Sequence, residues 1–118
     1  MRIVFDFCDT LHGNPMTKAI TCIRQLYYLL HASGAEIYVV TATKSPESDW
    51  ERIRSRRIEM LENYGLPPPI DLIVCDNGGK GEILSDIRPD LVIDDSKTVA
   101  NTAVIMGFTA LHLMDAEK

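Results

Sequence analysis

The amino-acid sequence predicts an α/β domain in which a parallel sheet of five strands is covered by helices on both faces. Short, apolar, β-branched runs alternate along the chain with segments whose apolar residues recur every three to four positions. A regular strand–helix–strand order makes neighbouring strands parallel and leaves helices on both sides of the sheet. The chain has 118 residues, the length of one ordinary domain, so we predict a single domain over residues 1–118.

The first half of the chain predicts two strands and two helices. Residues 3–7 form an uninterrupted apolar run and predict a buried strand. Residues 15–32 have apolar side chains at helical spacing, and residues 36–41 are β-branched and predict the second strand. Residues 46–64 return to helical spacing, which predicts the second helix. A glycine follows each helix within two residues, as is common where helices end.

The second half repeats this alternation after a stiff connector of three prolines at residues 67–69. Two glycines precede the third helix, and Gly107 ends the fourth. The predicted order is strand, helix, strand, helix and strand, at residues 70–75, 80–87, 90–94, 96–106 and 109–113.

Composition and charge exclude several classes of protein. The formal net charge is −5, which disfavours wrapping of nucleic acid by Lys and Arg, although a local basic patch could still hold a phosphorylated end. No apolar stretch approaches the roughly 20 residues that span a bilayer, and the N-terminus lacks the pattern of a signal peptide. The three cysteines are odd in number and far apart, unlike a disulfide framework or a zinc site. A cytoplasmic protein that does not bind membranes is expected.

Reactive side chains follow the predicted strands, at the sheet edge where parallel strands bind ligands. They are Asp6, Thr41, Asp76, Asp94 and Asp95, with Lys80 shortly after the third strand. Carboxylates that converge repel one another unless a cation lies among them, and oxygen donors of this kind suit Mg²⁺. Lys80 adds a positive charge and Thr41 a hydroxyl group. These parts suit phosphoryl transfer, in which an aspartate can serve as the nucleophile.

The motifs stand in an order that resembles the haloacid dehalogenase superfamily of phosphatases. They are DFCDTL at 6–11, VVTA at 39–42, KGEIL at 80–84 and LVIDDS at 91–96. The resemblance implies a three-layer, Rossmann-like fold, with Asp6 as the nucleophile and with Thr41, Ala42 and Lys80 binding the substrate phosphate. It also implies that Asp6, the backbone carbonyl of Cys8, and Asp95 supported by Asp94 hold Mg²⁺. In the Asp94-Asp95 pair that ends its fourth motif and in its small size, the chain is most similar to polynucleotide 3′-phosphatase domains and deoxyribonucleotidases.

The chain departs from this pattern at residues 8 and 9. The superfamily places its general acid/base aspartate two residues after the nucleophile, where this chain has Cys8, and Asp9 stands at the usual glycine. A thiol is a poor substitute for a carboxylic acid near neutral pH. Three outcomes are open: Asp9 takes over as the catalytic acid, the enzyme favours good leaving groups, or it is slow. Weak or narrow phosphatase activity is the expectation.

Relatives in this superfamily often carry a cap domain, and this chain has no room for one. An open site suits a bulky substrate such as a nucleic-acid end, a nucleotide or a phosphoprotein. The segment WERIRSRR at 50–57 adds four arginines, and the guanidinium fork matches phosphate geometry. Arg52 is predicted to contact the substrate phosphate.

Three other functions can be weighed against a phosphatase of this type. A cysteine phosphatase would need an arginine closely spaced after Cys8, and the following residues contain none. A receiver domain would place its acidic pair early and its lysine late, which is the reverse of the order here. The serious alternative is a non-catalytic or very weak protein of the same fold that binds phosphate and metal.

Overall fold

The structure is a computed structural model that describes residues 1–14 and 20–114. Its described residues contain five strands and four α-helices in strict alternation, and the α/β prediction is confirmed. The strands are β1 (Arg2–Asp6), β2 (Glu36–Thr43), β3 (Asp71–Asp76), β4 (Leu91–Asp94) and β5 (Thr109–His112). The helices are α1 (Ile20–Ala32), α2 (Trp50–Asn63), α3 (Lys80–Ile87) and α4 (Lys97–Ile105).

Differences from the predicted boundaries are small. The start of the predicted first helix, at residues 15–19, lies outside the described residues. β2 runs two residues further than predicted because it stays paired with β3 as far as Thr43 and Asp76. A short 3₁₀ helix, Glu47–Asp49, precedes α2, so the predicted helix 46–64 begins later. Within the described ranges, no helix is long and apolar enough to cross a membrane.

The sheet is parallel throughout and has the strand order β3-β2-β1-β4-β5. The chain moves outward from β1 to β3 on one side and from β4 to β5 on the other. The direction therefore reverses between β1 and β4, and ligands of open α/β sheets bind at the carboxyl ends on either side of such a reversal. Phe5 pairs with Ile93 in this register, so Asp6 and Asp94 come next to each other at that edge.

Side-chain alternation along the strands divides the core into two layers. On one face, Ile3, Phe5, Val39, Leu72 and Ile93 pack with side chains of α1 and α2. On the other face, Val4, Val40 and Val92 pack with side chains of α3 and α4. The predicted arrangement, with helices on both faces of one sheet in a Rossmann-like domain, is confirmed.

The segment between β2 and β3 contains the 3₁₀ helix, α2 and the proline connector. The connector is held by Tyr27 of α1, whose buried hydroxyl donates to the carbonyl of Pro67 at 2.7 Å. The Tyr27 ring also lies 5.2 Å from that of Phe5 in β1. This segment therefore packs against the domain and does not form a separate lid above the sheet edge.

Candidate active site

A buried lysine lies between two buried aspartates at the carboxyl ends of β1 and β4. The Nζ of Lys80 donates to Asp6 Oδ1 at 2.6 Å and to Asp94 Oδ2 at 2.8 Å. Only 5% of Asp6, 2% of Asp94 and 8% of Lys80 is exposed. Charged groups are buried to this extent when they are paired and hydrogen-bonded, which these three side chains are.

The turn between β3 and α3 delivers Lys80 to this position. Gly78 has a φ of +89°, and Gly79 passes so close to the strand that a Cβ there would lie 3.2 Å from the Asp76 carbonyl oxygen. These two positions need glycine, because one is left-handed and the other has little space for a side chain. α3 then begins at Lys80, on the same face of the sheet as Asp6.

Hydrogen bonds also fix the orientation of both carboxylates. Thr10 Oγ1 donates to Asp6 Oδ2 at 3.2 Å, and the backbone N–H of Ser96 donates to Asp94 Oδ1 at 2.9 Å. Ser96 in turn caps α4 by accepting from the N–H of Val99. Both oxygens of Asp6 and of Asp94 therefore have a hydrogen-bond donor, which leaves little rotational freedom.

The three charged groups perturb one another unequally. Burial raises the pKa of Asp6 to about 8; the positive charge of Lys80 lowers it and the negative charge of Asp94 raises it. Burial lowers the pKa of Lys80, but Asp6 and Asp94 together raise it by more, so it ends above its ordinary value. The asymmetry follows from the charges, because Lys80 faces two carboxylates whereas Asp6 faces one cation and one anion.

The metal-free protein is expected to lose stability as pH rises from about 4 to about 8. Across this window native Asp6 holds a proton that the unfolded chain has released, because its pKa rises from 3.8 to about 8 on folding. The slope contributed by Asp6 is at most about 1.4 kcal/mol per pH unit. Urea unfolding in EDTA at a series of pH values should show wild type falling more steeply than Asp6→Asn. If the free energies of unfolding of the two proteins changed with pH in parallel, the raised pKa would not belong to Asp6.

Three carboxylates come close enough together to share a cation. Oxygen atoms of Asp6, Asp94 and Asp95 all lie within 4.8 Å of one another. Asp95 also raises the pKa of Asp6. A divalent cation among the three groups would offset the repulsion between them. The donors are all oxygen, which suits Mg²⁺ rather than a softer metal.

The loop after β1 is tightly folded and brings Cys8 and Asp9 to this edge of the sheet. The carbonyl of Phe7 accepts from the backbone N–H groups of Leu11 at 3.0 Å and of His12 at 2.9 Å. Asp9 has a φ of +59°, a left-handed conformation that favours glycine and that aspartate tolerates. Gly13 packs so closely that a Cβ would lie 2.8 Å from Asp9 Oδ1.

One cavity of about 480 Å³ contains nearly all of the predicted site. Its lining includes the predicted residues Asp6, Cys8, Asp9, Thr41, Ala42, Lys80, Asp94 and Asp95. Arg52 does not line it: its side chain lies 3.5 Å from the carboxylate of Asp49 and borders a separate cavity. The structure thus brings the residues of the four motifs together and places Arg52 beside them.

Arg57 is the arginine of α2 that contacts a residue lining this cavity, whereas the sequence prediction named Arg52. Thr41 shares its sheet face with Val39, the face covered by α2, and the Arg57 guanidinium donates to the Thr41 hydroxyl. The signal was present in the sequence, because Arg57 interrupts the stripe of apolar residues at helical spacing in α2. An arginine within a core-facing stripe is directed at the sheet.

Uncharged polar residues also line the cavity, and the sequence prediction did not name them as site residues. They are Asn77 after β3, Ser96, and Thr98 and Thr102 of α4. Threonines on a helix near a strand end carry no distinctive pattern, so the sequence offered little to single them out.

A stack of rings and guanidinium groups clamps the β1 loop onto α2. His12 lies between the rings of Phe7 and Tyr64, with centroids 5.4 Å and 6.0 Å away, and it hydrogen-bonds the Tyr64 hydroxyl. The Cζ of Arg24 lies over the Tyr64 ring, 3.6 Å from its centroid, and the Cζ of Arg57 lies 5.1 Å from the centroid of the Phe7 ring. The loop that carries Cys8 and Asp9 is therefore held in one position relative to the sheet.

A scan against models of known protein families gives no match to this chain, and a search of curated proteins gives none either. The chemistry of the site therefore has to be inferred from its residues.

Cys8 has the wrong electrostatic environment for a thiolate nucleophile. Although the Cys8 side chain is partly exposed, its partial desolvation raises the pKa of the thiol above the ordinary value; the charge of Arg57 lowers the pKa, and Asp6 and Asp9 raise it again. Reactive cysteines need the opposite shift, because the thiolate is the attacking species. This environment argues against a cysteine phosphatase.

Proposed function

We propose that the protein is a Mg²⁺-dependent phosphomonoesterase of the haloacid dehalogenase type that forms an aspartyl-phosphate on Asp6. The observation that carries this proposal is the buried arrangement of Asp6, Lys80 and Asp94, with Asp95 beside them, at the point where the strand order reverses. A buried lysine between carboxylates could be purely structural. Its position at the ligand-binding edge, inside a cavity, favours a catalytic role.

The proposed reaction has two displacements at phosphorus. A carboxylate oxygen of Asp6 attacks the phosphate ester, the ester P–O bond breaks, and the alcohol leaves with a proton. Water then attacks the phosphorus of the aspartyl-phosphate, which releases inorganic phosphate and restores the carboxylate. Splitting a hard displacement into two easier ones is the advantage of a covalent intermediate.

Lys80 and Thr41 supply the contacts to the phosphoryl oxygens. Lys80 offers a fixed positive charge next to the attacking group. The Thr41 hydroxyl accepts from Arg57, so its own hydrogen is free to point into the cavity and donate to phosphate. Such preorganised donors stabilise charge that develops during phosphoryl transfer.

Asp6, Asp94 and Asp95 would hold the Mg²⁺ ion, together with the backbone carbonyl of Cys8. That carbonyl accepts no backbone hydrogen bond from the described part of the chain outside the regular elements. When bound, Mg²⁺ neutralises phosphate charge and allows the anionic carboxylate to approach. The left-handed backbone at Asp9 also fits the resemblance, since the superfamily has glycine there.

The open edge of the sheet favours a substrate larger than a free sugar phosphate. The described connection between β2 and β3 forms no cap over the site, which suits nucleic-acid ends, nucleotides and phosphoproteins. The three free cysteines fit a reducing compartment, and we place the activity in the cytoplasm.

A protein that binds phosphate and metal without turnover is the second candidate, and Cys8 favours it. Cys8 lines the cavity where a carboxylic acid would protonate the leaving group, and its raised pKa makes it a poor proton donor. Asp9 lines the same cavity and is the other group placed to take that role.

Cys8→Asp is expected to raise turnover of alkyl phosphates roughly a hundredfold while changing p-nitrophenyl phosphate turnover much less. The reason is that an alkoxide needs a proton to leave, whereas nitrophenolate does not. Steady-state kcat with both substrates measures the effect, and Cys8→Asn, which has the same shape without the acid, is the control. Equal gains in both variants, or none for alkyl phosphates, would show that residue 8 is not the acid position.

Phosphate release tests the proposed function directly. Purified protein would be incubated with p-nitrophenyl phosphate, with 3′- and 5′-phosphorylated oligonucleotides and with a phosphopeptide, each in Mg²⁺ and in EDTA. Release that requires Mg²⁺ would support a phosphatase, and the preferred substrate would indicate its class. If neither the wild type nor Cys8→Asp releases phosphate while Mg²⁺ still binds, the result would favour the second candidate, a protein that binds phosphate and metal without turnover.

A further inference from the structure

A second cavity adjoins the candidate active site and is as basic as the first is acidic. It has a volume of about 260 Å³ and is lined by three arginines of α2, Arg52, Arg56 and Arg57. Its other walls are Phe7, Cys8, His12, Ile53 and Met60. A concentration of positive charge is unexpected in a chain whose net charge is −5.

The three guanidinium groups differ in what they already bind. Arg57 donates to Thr41, and Arg52 lies 3.5 Å from Asp49 with most of its side chain exposed. Arg56 forms no hydrogen bond or ion pair with any residue of the described chain, and none of the three is buried. The cavity thus offers at least one whole guanidinium fork to a ligand. That fork matches the oxygens of a phosphate or carboxylate.

Cys8 lines both cavities, so they share a wall. Arg57 connects them as well, because it lines the basic cavity and hydrogen-bonds Thr41 in the acidic one. A ligand whose phosphate is held near Lys80 would extend a neighbouring anionic group past Cys8 toward Arg56. The two cavities are therefore placed to bind one molecule that carries two anionic groups.

We propose that the arginine-lined cavity binds the phosphodiester next to the terminal phosphate of a nucleic-acid strand, so that the enzyme selects strand ends over free mononucleotides. The inference rests on the proposed function and names its substrate class. In a nucleic acid a second phosphate always follows the terminal one at a fixed short spacing, whereas in a peptide a second anion depends on sequence. The apolar side chains of Ile53 and Met60 suit the intervening sugar or base.

The overall charge limits how far this recognition extends. An acidic protein surface repels further phosphates, so contacts should stop after the second one. We therefore expect kcat/KM to rise about tenfold from a thymidine monophosphate to the corresponding phosphorylated dinucleotide. A phosphorylated tetranucleotide should give no further gain. The slope of log kcat/KM against log salt concentration should become more negative by about 0.7 from the mononucleotide to the dinucleotide, because one more phosphate is contacted.

Arg56→Gln tests the cavity, with Arg54→Gln as its matched control. Arg54 is on the same helix but faces away, bonded to Asp71 at 2.9 Å, so the control removes the same charge outside the cavity. The ratio of kcat/KM for dinucleotide to mononucleotide should fall to near one in Arg56→Gln and stay about tenfold in Arg54→Gln. Both 3′- and 5′-phosphorylated series would be measured, because the structure does not favour one end.

Three outcomes would overturn the proposal. They are equal kcat/KM values for mononucleotide and dinucleotide, a ratio that Arg56→Gln leaves unchanged, and a step that appears with doubly phosphorylated peptides in place of oligonucleotides. A steady rise with length up to the tetranucleotide would contradict the limit to two phosphates.

Binding separates failure of this proposal from failure of the proposed function. The probe is thymidylyl-thymidine without a terminal phosphate, which carries the internucleotide phosphodiester and cannot be hydrolysed by a phosphomonoesterase. NMR shifts of the arginine Nε–H groups would follow its binding in the wild type and in Arg56→Gln. Binding that is lost in the variant would support the subsite even if no turnover is found. Absence of binding to the wild type would reject it.

Discussion

Asp6→Asn is expected to reduce Mg²⁺-dependent phosphate release by at least about a thousandfold, the scale seen when a nucleophile is removed. An amide cannot form the acyl phosphate, and it is a poorer ligand for Mg²⁺ than a carboxylate. The variant should fold, because asparagine keeps the shape of the side chain and an oxygen that can accept from Lys80. In EDTA at pH 8 its free energy of unfolding should equal or exceed that of the wild type, since the variant has no raised carboxyl pKa at that position.

The matched control for this prediction is Asp76→Asn. Asp76 also ends a strand at the same edge of the sheet, but it is exposed and does not line the active-site cavity. It should retain activity within about threefold of the wild type, the range expected for a surface change away from the site. Substantial phosphate release by Asp6→Asn, or an equal loss in both variants, would remove Asp6 from the role of nucleophile.

Lys80→Met should destabilise the metal-free protein by about 3 kcal/mol or more, because it leaves the buried carboxylate of Asp94 without its cation. Lys80 is 8% exposed and contributes hydrogen bonds to both Asp6 and Asp94. Methionine fills the space of the lysine stem but cannot donate a hydrogen bond to Asp6 or Asp94. Urea unfolding at neutral pH measures the loss.

A second substitution and a control make this stability prediction specific. Asp94→Asn in the Lys80→Met background should recover part of the lost stability, since it removes the buried charge that lost its partner. Lys97→Met is the control: Lys97 also begins a helix, α4, but is exposed, so the change should stay within about 0.5 kcal/mol. Equal losses of stability in Lys80→Met and Lys97→Met would mean that Lys80 does not stabilise the buried pair of Asp6 and Asp94.

The fold could be predicted from the sequence because local pattern and global architecture agree. Strands as short as Leu91–Asp94 were recognisable from their apolar runs, and glycines marked where helices end. Because parallel strands bind ligands at their carboxyl ends, the order of the elements predicts that Asp6, Thr41, Lys80 and Asp94 lie at one edge of the sheet. All four line one cavity, so this part of the site follows from the order of elements alone.

Features that depend on packing between elements could not be obtained in this way. Which arginine of α2 contacts Thr41 depends on which side of the helix faces the sheet, and helical spacing narrows this without deciding it. The left-handed backbone of Asp9 and the Phe7–His12–Tyr64 stack arise from the tight loop after β1. The arginine-lined cavity exists because that loop packs against α2, a contact between residues some 50 positions apart that no local pattern reports.

Trapping the covalent intermediate tests the central claim most directly. Without a carboxylic acid at Cys8 to activate water, hydrolysis of the aspartyl-phosphate should be slow, and the intermediate should accumulate during turnover. A reaction with p-nitrophenyl phosphate and Mg²⁺ would be quenched in acid, reduced with borohydride, which converts an acyl phosphate to homoserine, and analysed by mass spectrometry. We expect homoserine at position 6 in the wild type and none without Mg²⁺ or substrate. Turnover with an unmodified Asp6, or with phosphate on Cys8, would contradict the proposed mechanism.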